Sequence, residues 1–258
     1  MKGRRLLTGT LWLFAIGFRF CGLVSIPDLA AASGTPPPPA APAVVLALTG
    51  VDATGRLQTA AGEQLCLSGL WQPPVLPRPI QEALTRLVAE RRWQWKATPI
   101  PFRDRYHCLW GDLSAADIDS LAEAVLAQGL AAVHTLAPPA RLSRWLALEQ
   151  AARQAGQGLW ADPRHAPRRP EETRPLIGSF QIVQGTVQAV ARIRQQLYLN
   201  FGPDWRQDFT IRLSARRTLP FTPAHLVGRE VRARGWLVFA NGPLLSLDNP
   251  EFLELLPP

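Results

Sequence analysis

The chain has 258 residues, of which 47% are hydrophobic and 19% charged, and a formal net charge of +8. That length holds two small domains and a tether, and the balance is that of a globular protein rather than a disordered polyelectrolyte or a polytopic membrane protein. Charge alone names no partner. Only Lys2 and Lys96 are lysines, and such an arginine bias reflects genomic composition as readily as selection for nucleic acid, anionic lipid or acidic polysaccharide.

The first residues form a targeting signal. Met1 to Arg5 is basic, residues 6–18 are apolar, and Ala30, Ala31 and Ala32 precede Ser33 as a small-residue cleavage site. Residues 1–32 therefore read as a signal peptide, and the mature protein as periplasmic or secreted. The alternative is an uncleaved anchor, although residues 6–18 are short for a span and Arg19 interrupts the apolar run. No later segment is apolar enough to cross a bilayer. Lys2, Arg4, Arg5 and Arg19 against Asp28 put +3 of the charge in this segment, so a processed chain carries +5. It also keeps only Cys66 and Cys108. In an oxidising compartment that pair is a disulfide candidate, the alternative being two separate, partly buried thiols.

Residues 33–43 contain a run of four consecutive prolines and read as a polyproline-like tether. Residues 44–48, 55–58 and 64–67 then alternate as strands between Gly and Asp turn signals. Helical spacing of Ile80, Ala83, Leu84, Leu87 and Val88 predicts a helix over 79–91. Short strands are expected at 93–95 and 106–110. A second helix is expected over 115–128, with Ser114 as N-cap and Gly129 as stop. A third, over 141–155, carries Leu142, Trp145, Leu146 and Ala152 on one side. Within it Glu149 is expected as a buried or half-buried salt-bridge partner. Trp160 reads as a core plug at the end of the third helix rather than a ligand platform. His134 has no second histidine at ligand spacing, which argues against a metal role.

Residues 161–175 hold four prolines, many charges and little that is apolar, so they read as a linker. Beyond them the period changes to alternation. Strands are expected at 180–193, 196–201, 208–214, 230–240 and 244–247, with an irregular excursion at 222–228 and a hairpin turn at Asn241-Gly242. Five strands in this pattern suggest a small OB-like barrel. Alternation puts Tyr198 and Arg212 opposite the apolar positions of their strands, and Arg232, Arg234 and Trp236 opposite Val231, Ala233 and Leu237. Arginine and aromatic rings on a small barrel suit single-stranded nucleic acid, because rings stack bases and guanidiniums track phosphates. The alternative is that these are ordinary solvent-facing or interdomain residues, with Trp236 covered by the first domain. Residues 50–55 superficially suggest a phosphate loop but lack its lysine and following helix.

The order of several motifs resembles the thermonuclease (staphylococcal nuclease-like) family. The run Leu65-Cys66-Leu67-Ser68-Gly69-Leu70-Trp71-Gln72-Pro73-Pro74 is similar to that family's V-R-L-x-G-I-D-x-P-E. Asp104-Arg105-Tyr106-His107-Cys108 is similar to D-x-Y-G-R. Gln128 to Val133, Glu149 with Ala152 and Arg153, and Gly158-Leu159-Trp160 match its later motifs. The run from Tyr198 through Trp205 to Thr210 also resembles the tail of exported bacterial members. The resemblance implies a mainly β fold with α: a thermonuclease-like OB barrel with three helices at 44–162, a linker at 163–177 and a second small OB-like β-barrel at 178–258.

The same resemblance implies that chemistry has been lost. The two phosphate-binding arginines fall on Cys66 and Cys108, the metal-ligand aspartate on Trp71 and the general-base glutamate on Pro74. These four positions are expected around one pocket, and the inference of lost hydrolysis from the four substitutions together depends on it. Hydrolysis of a phosphodiester needs an activated water and cations to hold developing charge, which proline and tryptophan do not supply. The convergence of the family's arginines also favours a Cys66–Cys108 bridge without requiring it, since a disulfide needs Cα atoms within about 7 Å. The expected function is thus an inactive, exported binding module for nucleic acid or an envelope protein, with no cofactor. The alternative is a divergent phosphodiester hydrolase with a rearranged site. It would use Asp52 and His107, with Asp104 and Arg105 nearby, and only in that case Ca2+. A third reading is a purely structural docking protein.

Overall fold

The computed structural model describes residues 45–97, 103–216 and 219–257. The expectations for the signal peptide and for the tether at 33–43 lie outside the described residues. Five short strands close the first barrel: β1 (Val45–Val51), β2 (Leu57–Thr59), β3 (Gln64–Leu67), β5 (Arg92–Ala97) and β6 (Leu109–Ser114). They run in the order β1-β2-β3-β6-β5. Every neighbouring pair is antiparallel except β3–β6, which is parallel. A two-residue strand β4 (Leu70–Trp71) leaves this barrel and pairs with β7 (Ala132–Val133).

Helix α1 (Arg78–Val88) buries Ile80, Leu84 and Val88 at four-residue spacing, the apolar stripe that the sequence shows. It stops short of the expected residue 91. Ala89 leaves helical geometry, Glu90 takes a positive φ of 59°, and Arg91 Nη1 donates to Leu87 O at 2.7 Å. Trp93, wholly buried at the start of β5, then donates its indole N–H to Val88 O at 3.1 Å and ties strand to helix.

Helix α2 (Leu121–Ala127) begins six residues later than the apolar spacing suggests. Ala115 and Ile118 instead exchange backbone hydrogen bonds in a tight turn after β6. The N-cap is Ser120 rather than Ser114, its hydroxyl accepting from Glu123 N at 3.2 Å and donating to Asp112 Oδ2 at 2.7 Å. A Ser-x-x-Glu cap competes better for the helix start than apolar residues upstream of it.

Gly129 ends α2 with φ 67°. A Cβ there would collide with the backbone carbonyl of Gln157. Gly158, at φ 58°, meets the carbonyl of Gly129 from the other side. Two glycine backbones thus touch where the end of the third-helix segment returns to α2. Helix α3 (Pro139–Gln154) buries Leu142, Trp145, Glu149 and Ala152, so a carboxylate sits in the middle of its apolar stripe.

The second half is a seven-stranded sheet. It is built from β8 (Phe180–Thr186), β9 (Ala189–Ile193), β10 (Gln196–Asn200), β11 (Thr210–Ser214), β12 (Glu230–Phe239), β13 (Pro243–Leu247) and β14 (Glu254–Leu255). The single strand expected at 180–193 is two. It bends at the buried Val187, whose N–H donates to Arg229 O, so β8 pairs with β12 while β9 pairs with β10. The path β9-β10-β11-β13-β12-β8 has one parallel step, β11–β13, and antiparallel steps elsewhere. This is the connectivity of the first barrel repeated, with the bent first strand joining both ends.

The expected linker at 163–177 is not a free connector. Its prolines seed short 3₁₀ turns at Pro163–His165, Pro170–Glu172 and Arg174–Leu176. Arg168 adds a backbone bridge to the edge of β8, donating to Ile182 O and accepting from Gln184 N, both at 2.8 Å. Thr173 is fully buried. Proline and charge mark a segment that cannot continue a helix or strand, but they do not prevent it from packing. Among the described residues no helix is long and apolar enough to cross a membrane.

Candidate functional site

The motif at 103–108 folds as a tight turn around a carboxylate. Asp104 Oδ1 accepts from Tyr106 N at 2.8 Å and Cys108 N at 2.9 Å, and Oδ2 from Trp110 Nε1 at 3.3 Å. Partial burial pushes this carboxyl up. The N–H groups of Cys108 and Tyr106, the Trp110 indole and the nearby Arg56 charge outweigh that and hold it below the usual aspartate range. His107 adopts φ 62°, the left-handed region. This explains why the resembling motif carries glycine there, and it makes His107 a turn residue. Asp52 does the same work between β1 and β2, where its Oδ1 accepts from Thr54 N at 2.8 Å, Thr54 Oγ1 at 2.7 Å and Arg56 N at 3.0 Å. Both acidic candidates are thus committed to holding backbone.

Cys66 on β3 and Cys108 just before β6 are joined by a disulfide, with Cα atoms 5.9 Å apart. Cys108 is wholly buried and Cys66 nearly so. The bond clips together the parallel pair β3–β6. Above it Tyr106 lies exposed, with the guanidiniums of Arg105 and Arg56 at 4.8 Å and 5.2 Å from its ring centroid. Arg103 pairs with Glu63 at 2.6 Å.

Trp71 and Pro74 lie elsewhere, which corrects the expectation of one pocket for all four substituted positions. β4 carries Trp71 away from β3 toward the second barrel. There its ring stacks on Phe180 of β8, with centroids 5.0 Å apart and planes 16° from parallel. His134 stacks on Phe180 as well, at 5.4 Å and 14°, and burial pushes its imidazole pKa down. One ring of the second barrel is therefore stacked against two rings of the first. Trp71 and the exposed Pro74 face a cavity of about 390 Å³ at this seam, lined also by Trp160, His165, Phe180 and Trp236, and by neither cysteine. Trp160 is only half-buried, contrary to its expected role as a core plug. Leu159, 2% exposed, fills that role.

The residues present do not fit a calcium ion. The indole at position 71 is spent on stacking, Pro74 offers no side-chain oxygen, and Asp52 Oδ1 caps a turn. Among the described residues no group of three or more His, Cys, Asp or Glu side chains could hold a metal.

The expected arginine surface is corrected as well. Alternation does place Arg232, Arg234, Trp236 and Val238 on one face of β12. The first barrel covers the early half of that face, and only Trp236 and Val238 remain open, at 53% and 46% exposure. Arg234 is completely buried, with Nη1 2.6 Å from Glu149 Oε2 and Nη2 2.6 Å from Glu254 Oε1. Glu149 also accepts from Val133 N at 2.6 Å and pairs with Arg153 at 3.1 Å. Burial alone would lower the Arg234 pKa, but the Glu149 and Glu254 charges raise it, so it stays cationic. Arg232 is bound by Gln184, Gln150 and Glu254. Neither guanidinium is available to a phosphate. They join α3 of the first barrel to β12 of the second.

Tyr198 and Arg212 stand opposite each other across β10 and β11, and Arg212 donates to Ser246 Oγ at 2.8 Å. Tyr198 lines a second recess of about 390 Å³ with Ile193, Asn200, Trp205, Asn241 and Leu244. Trp205 is 49% exposed, and the Arg206 guanidinium lies 4.6 Å from its ring. No sequence period orients Trp205, because it lies in the irregular loop between β10 and β11. The five residues expected to form one binding surface therefore divide among a recess (Tyr198 with Arg212 beside it), a buried junction (Arg232, Arg234) and the seam cavity (Trp236).

Among known proteins, residues 80–162 match the family model described as Staphylococcal nuclease homologue. The matched span holds most of α1, all of α2 and α3, β5, β6, β7 and Cys108; Asp52, Cys66, Trp71 and Pro74 precede it. No curated protein matches the chain.

Proposed function

We propose that this chain, which carries a staphylococcal nuclease homologue domain at residues 80–162, is a non-hydrolytic binding protein of the cell envelope or exterior that holds single-stranded nucleic acid. Since Trp71 and Pro74 line a cavity that neither cysteine reaches, the loss of hydrolysis no longer rests on the four substitutions together and is carried by the Cys66–Cys108 bond alone. That bond stands where the resemblance puts two phosphate-binding arginines, and a disulfide presents neither charge nor donor to a phosphorane. The same bond supports residence in an oxidising compartment, in keeping with the signal read at residues 1–32.

Binding is assigned to the recess around Tyr198 and Trp205. Its rings offer base-stacking faces, and Arg206 and Arg212 offer charge beside them. The recess lies on strands β10 and β11 with the β12–β13 loop at its side, where an OB-like barrel displays its open face. The divergent hydrolase is the second reading, supported by Arg56 and Arg105 flanking Tyr106 beside Asp104.

Mature protein incubated with single-stranded DNA or RNA separates the two readings when calcium, other divalent ions and a chelator are compared. Salt-sensitive binding without cleavage, weakened in Tyr198→Ala, is the expected result. Metal-dependent cleavage by the purified protein, abolished by the chelator, would establish the hydrolase instead.

A further inference from the structure

We propose that Asp208 and Gly242 are positioning residues that hold the indole of Trp205 as a fixed wall of the Tyr198 recess, so that a base meets a stacking surface already in place; this rests on the reading of that recess as the nucleic-acid site and names the residues that set its geometry. Trp205 sits in the loop between β10 and β11 and is 49% exposed. A large ring on an irregular, exposed loop ordinarily loses backbone and rotamer freedom when a ligand orders it. This loop is already tied by its own polar groups. Asp208 Oδ2 accepts from Asp204 N at 2.7 Å, while Asp204 O accepts from Gln207 N at 3.0 Å and from Asp208 N at 2.9 Å. Asp204 Oδ1 accepts from Arg206 N at 3.0 Å, and its Oδ2 from Gln207 Nε2 at 2.6 Å. Trp205 thus lies in the chain between two aspartates that are bonded to each other's backbone.

Two glycines let this loop close against the barrel. The Asp208 carboxylate lies over Gly202, where a Cβ would overlap it. Gly242, in the β12–β13 turn at φ 94°, packs on the backbone of Gln207 and Asp208, whose atoms a Cβ would meet at 2.7 Å. The same turn carries Asn241, which lines the recess together with Trp205. One close contact therefore joins the Trp205 loop to another wall of the recess. At the base of the loop Phe201 N donates to Phe209 O at 3.2 Å, and the two buried rings pack with centroids 5.1 Å apart. The recess so framed suits an uncharged ring. Its polar lining is Tyr198, Asn200, Thr210 and Asn241, with Thr210 Oγ1 donating to Asn200 Oδ1 at 3.1 Å, and no carboxylate, guanidinium or ammonium is among the residues lining it. The Arg206 guanidinium stands outside that lining, 4.6 Å from the Trp205 ring centroid. A base enters the recess, and its phosphate stays at Arg206.

Two readouts on the intact mature chain test this: the affinity for a labelled oligodeoxythymidylate, followed by anisotropy, and the fluorine spectrum of protein labelled with fluorotryptophan, in which the Trp205 line is the one lost in Trp205→Ala. Trp205→Ala and Asp208→Ala are each expected to weaken binding roughly ten-fold. Asp208→Ala added to Trp205→Ala is expected to weaken it no further, because no ring is left to place. Asp208→Asn keeps an oxygen for Asp204 N and is expected to bind as the parent does. The Trp205 line is expected to shift toward that of a free indole in Asp208→Ala and in Gly242→Ala, and to stay in place in Asp208→Asn. Gly242→Ala also strains a left-handed residue, so Asp208→Ala decides the case where that variant does not fold. The proposal is overturned if Asp208→Ala leaves the affinity or the Trp205 line unchanged, if a folded Gly242→Ala leaves the line in place, if the two losses add in the double variant, or if Asp208→Asn is as weak as Asp208→Ala. Failure of the parent itself to bind the oligonucleotide overturns the nucleic-acid reading instead, and the Trp205 line then still decides whether Asp208 and Gly242 hold the ring.

Discussion

The two barrels repeat one strand order and are held by different means. In the first, the parallel step β3–β6 pairs three positions, against four in β11–β13, and is clipped by the Cys66–Cys108 disulfide. In the second, the matching step β11–β13 has no covalent link. It is held by Ile211, Leu213, Leu245 and Leu247, all nearly inaccessible, with Arg212 bonded to Ser246 at its edge. A short pair buries few side chains and gains most from a cross-link that restricts the unfolded chain, whereas a pair lined by four buried aliphatics gets comparable support from packing. The comparison also shows what the substituted positions do. Cys66 and Trp71 both act as fasteners: one closes the first barrel through its disulfide, and the other stacks on Phe180 of the second.

The largest effect is expected at the junction between the barrels. Glu149→Ala leaves the Arg234 guanidinium buried between one carboxylate and apolar surroundings, which costs about 3–5 kcal/mol. Denaturant unfolding is expected to lose that much stability, and limited proteolysis to cut near residues 163–177. An unchanged midpoint would mean that the barrels stand independently.

The disulfide comes next. It closes a loop with a sequence separation of 42, for which chain entropy predicts a loss of about 4 kcal/mol on reduction, within a typical range of roughly 2–5 kcal/mol. Cys66→Ala with Cys108→Ala should lower the melting temperature without added reductant, and the parent should fall to the same value with it. A parent insensitive to reductant would put the first barrel on the same footing as the second.

A Tyr198→Ala change is expected to weaken single-strand binding by about 1–3 kcal/mol, the usual worth of one stacked base, with little change in the unfolding midpoint. The contrast with Arg234→Ala sharpens the comparison. That arginine belongs to the junction, so its loss should act on stability first.

The smallest effect concerns the 103–108 turn. Asp104 has a folded-state pKa below its ordinary 3.8. A depressed carboxyl contributes stability that is complete above that ordinary value and is lost as the pH falls through the folded one. The protection of the Tyr106 and Cys108 amides, taken relative to the intrinsic exchange rate at each pH, is expected to fall only below the ordinary 3.8, and Asp104→Ala should show that loss already at neutral pH.

Much of the fold was legible along the chain. The stripe Ile80, Leu84, Val88 announced α1, alternation announced β10 to β13, and the motif order announced the nuclease-like barrel. What misled was local competition. Ser120 with Glu123 captured the start of α2 from the apolar residues before it, and the bend at Val187 divided one alternating run between two partners. The candidate site was legible only in its residue types. Period two correctly put Arg232, Arg234 and Trp236 on one face, but alternation states which residues share a face and not what covers it.

The sequence by itself determined most of the strand and helix pattern and its division into two β-rich halves, because periodicity and turn chemistry are properties of neighbouring residues. Only the tertiary structure decided that Cys66 and Cys108 are bonded while Trp71 faces a different cavity, that the arginines of β12 are buried against Glu149 and Glu254, and that Trp236 stays open. Those outcomes depend on where α3 lies against β12 and β4 against β8. These are contacts between residues far apart in the chain, set by how two separately patterned units dock.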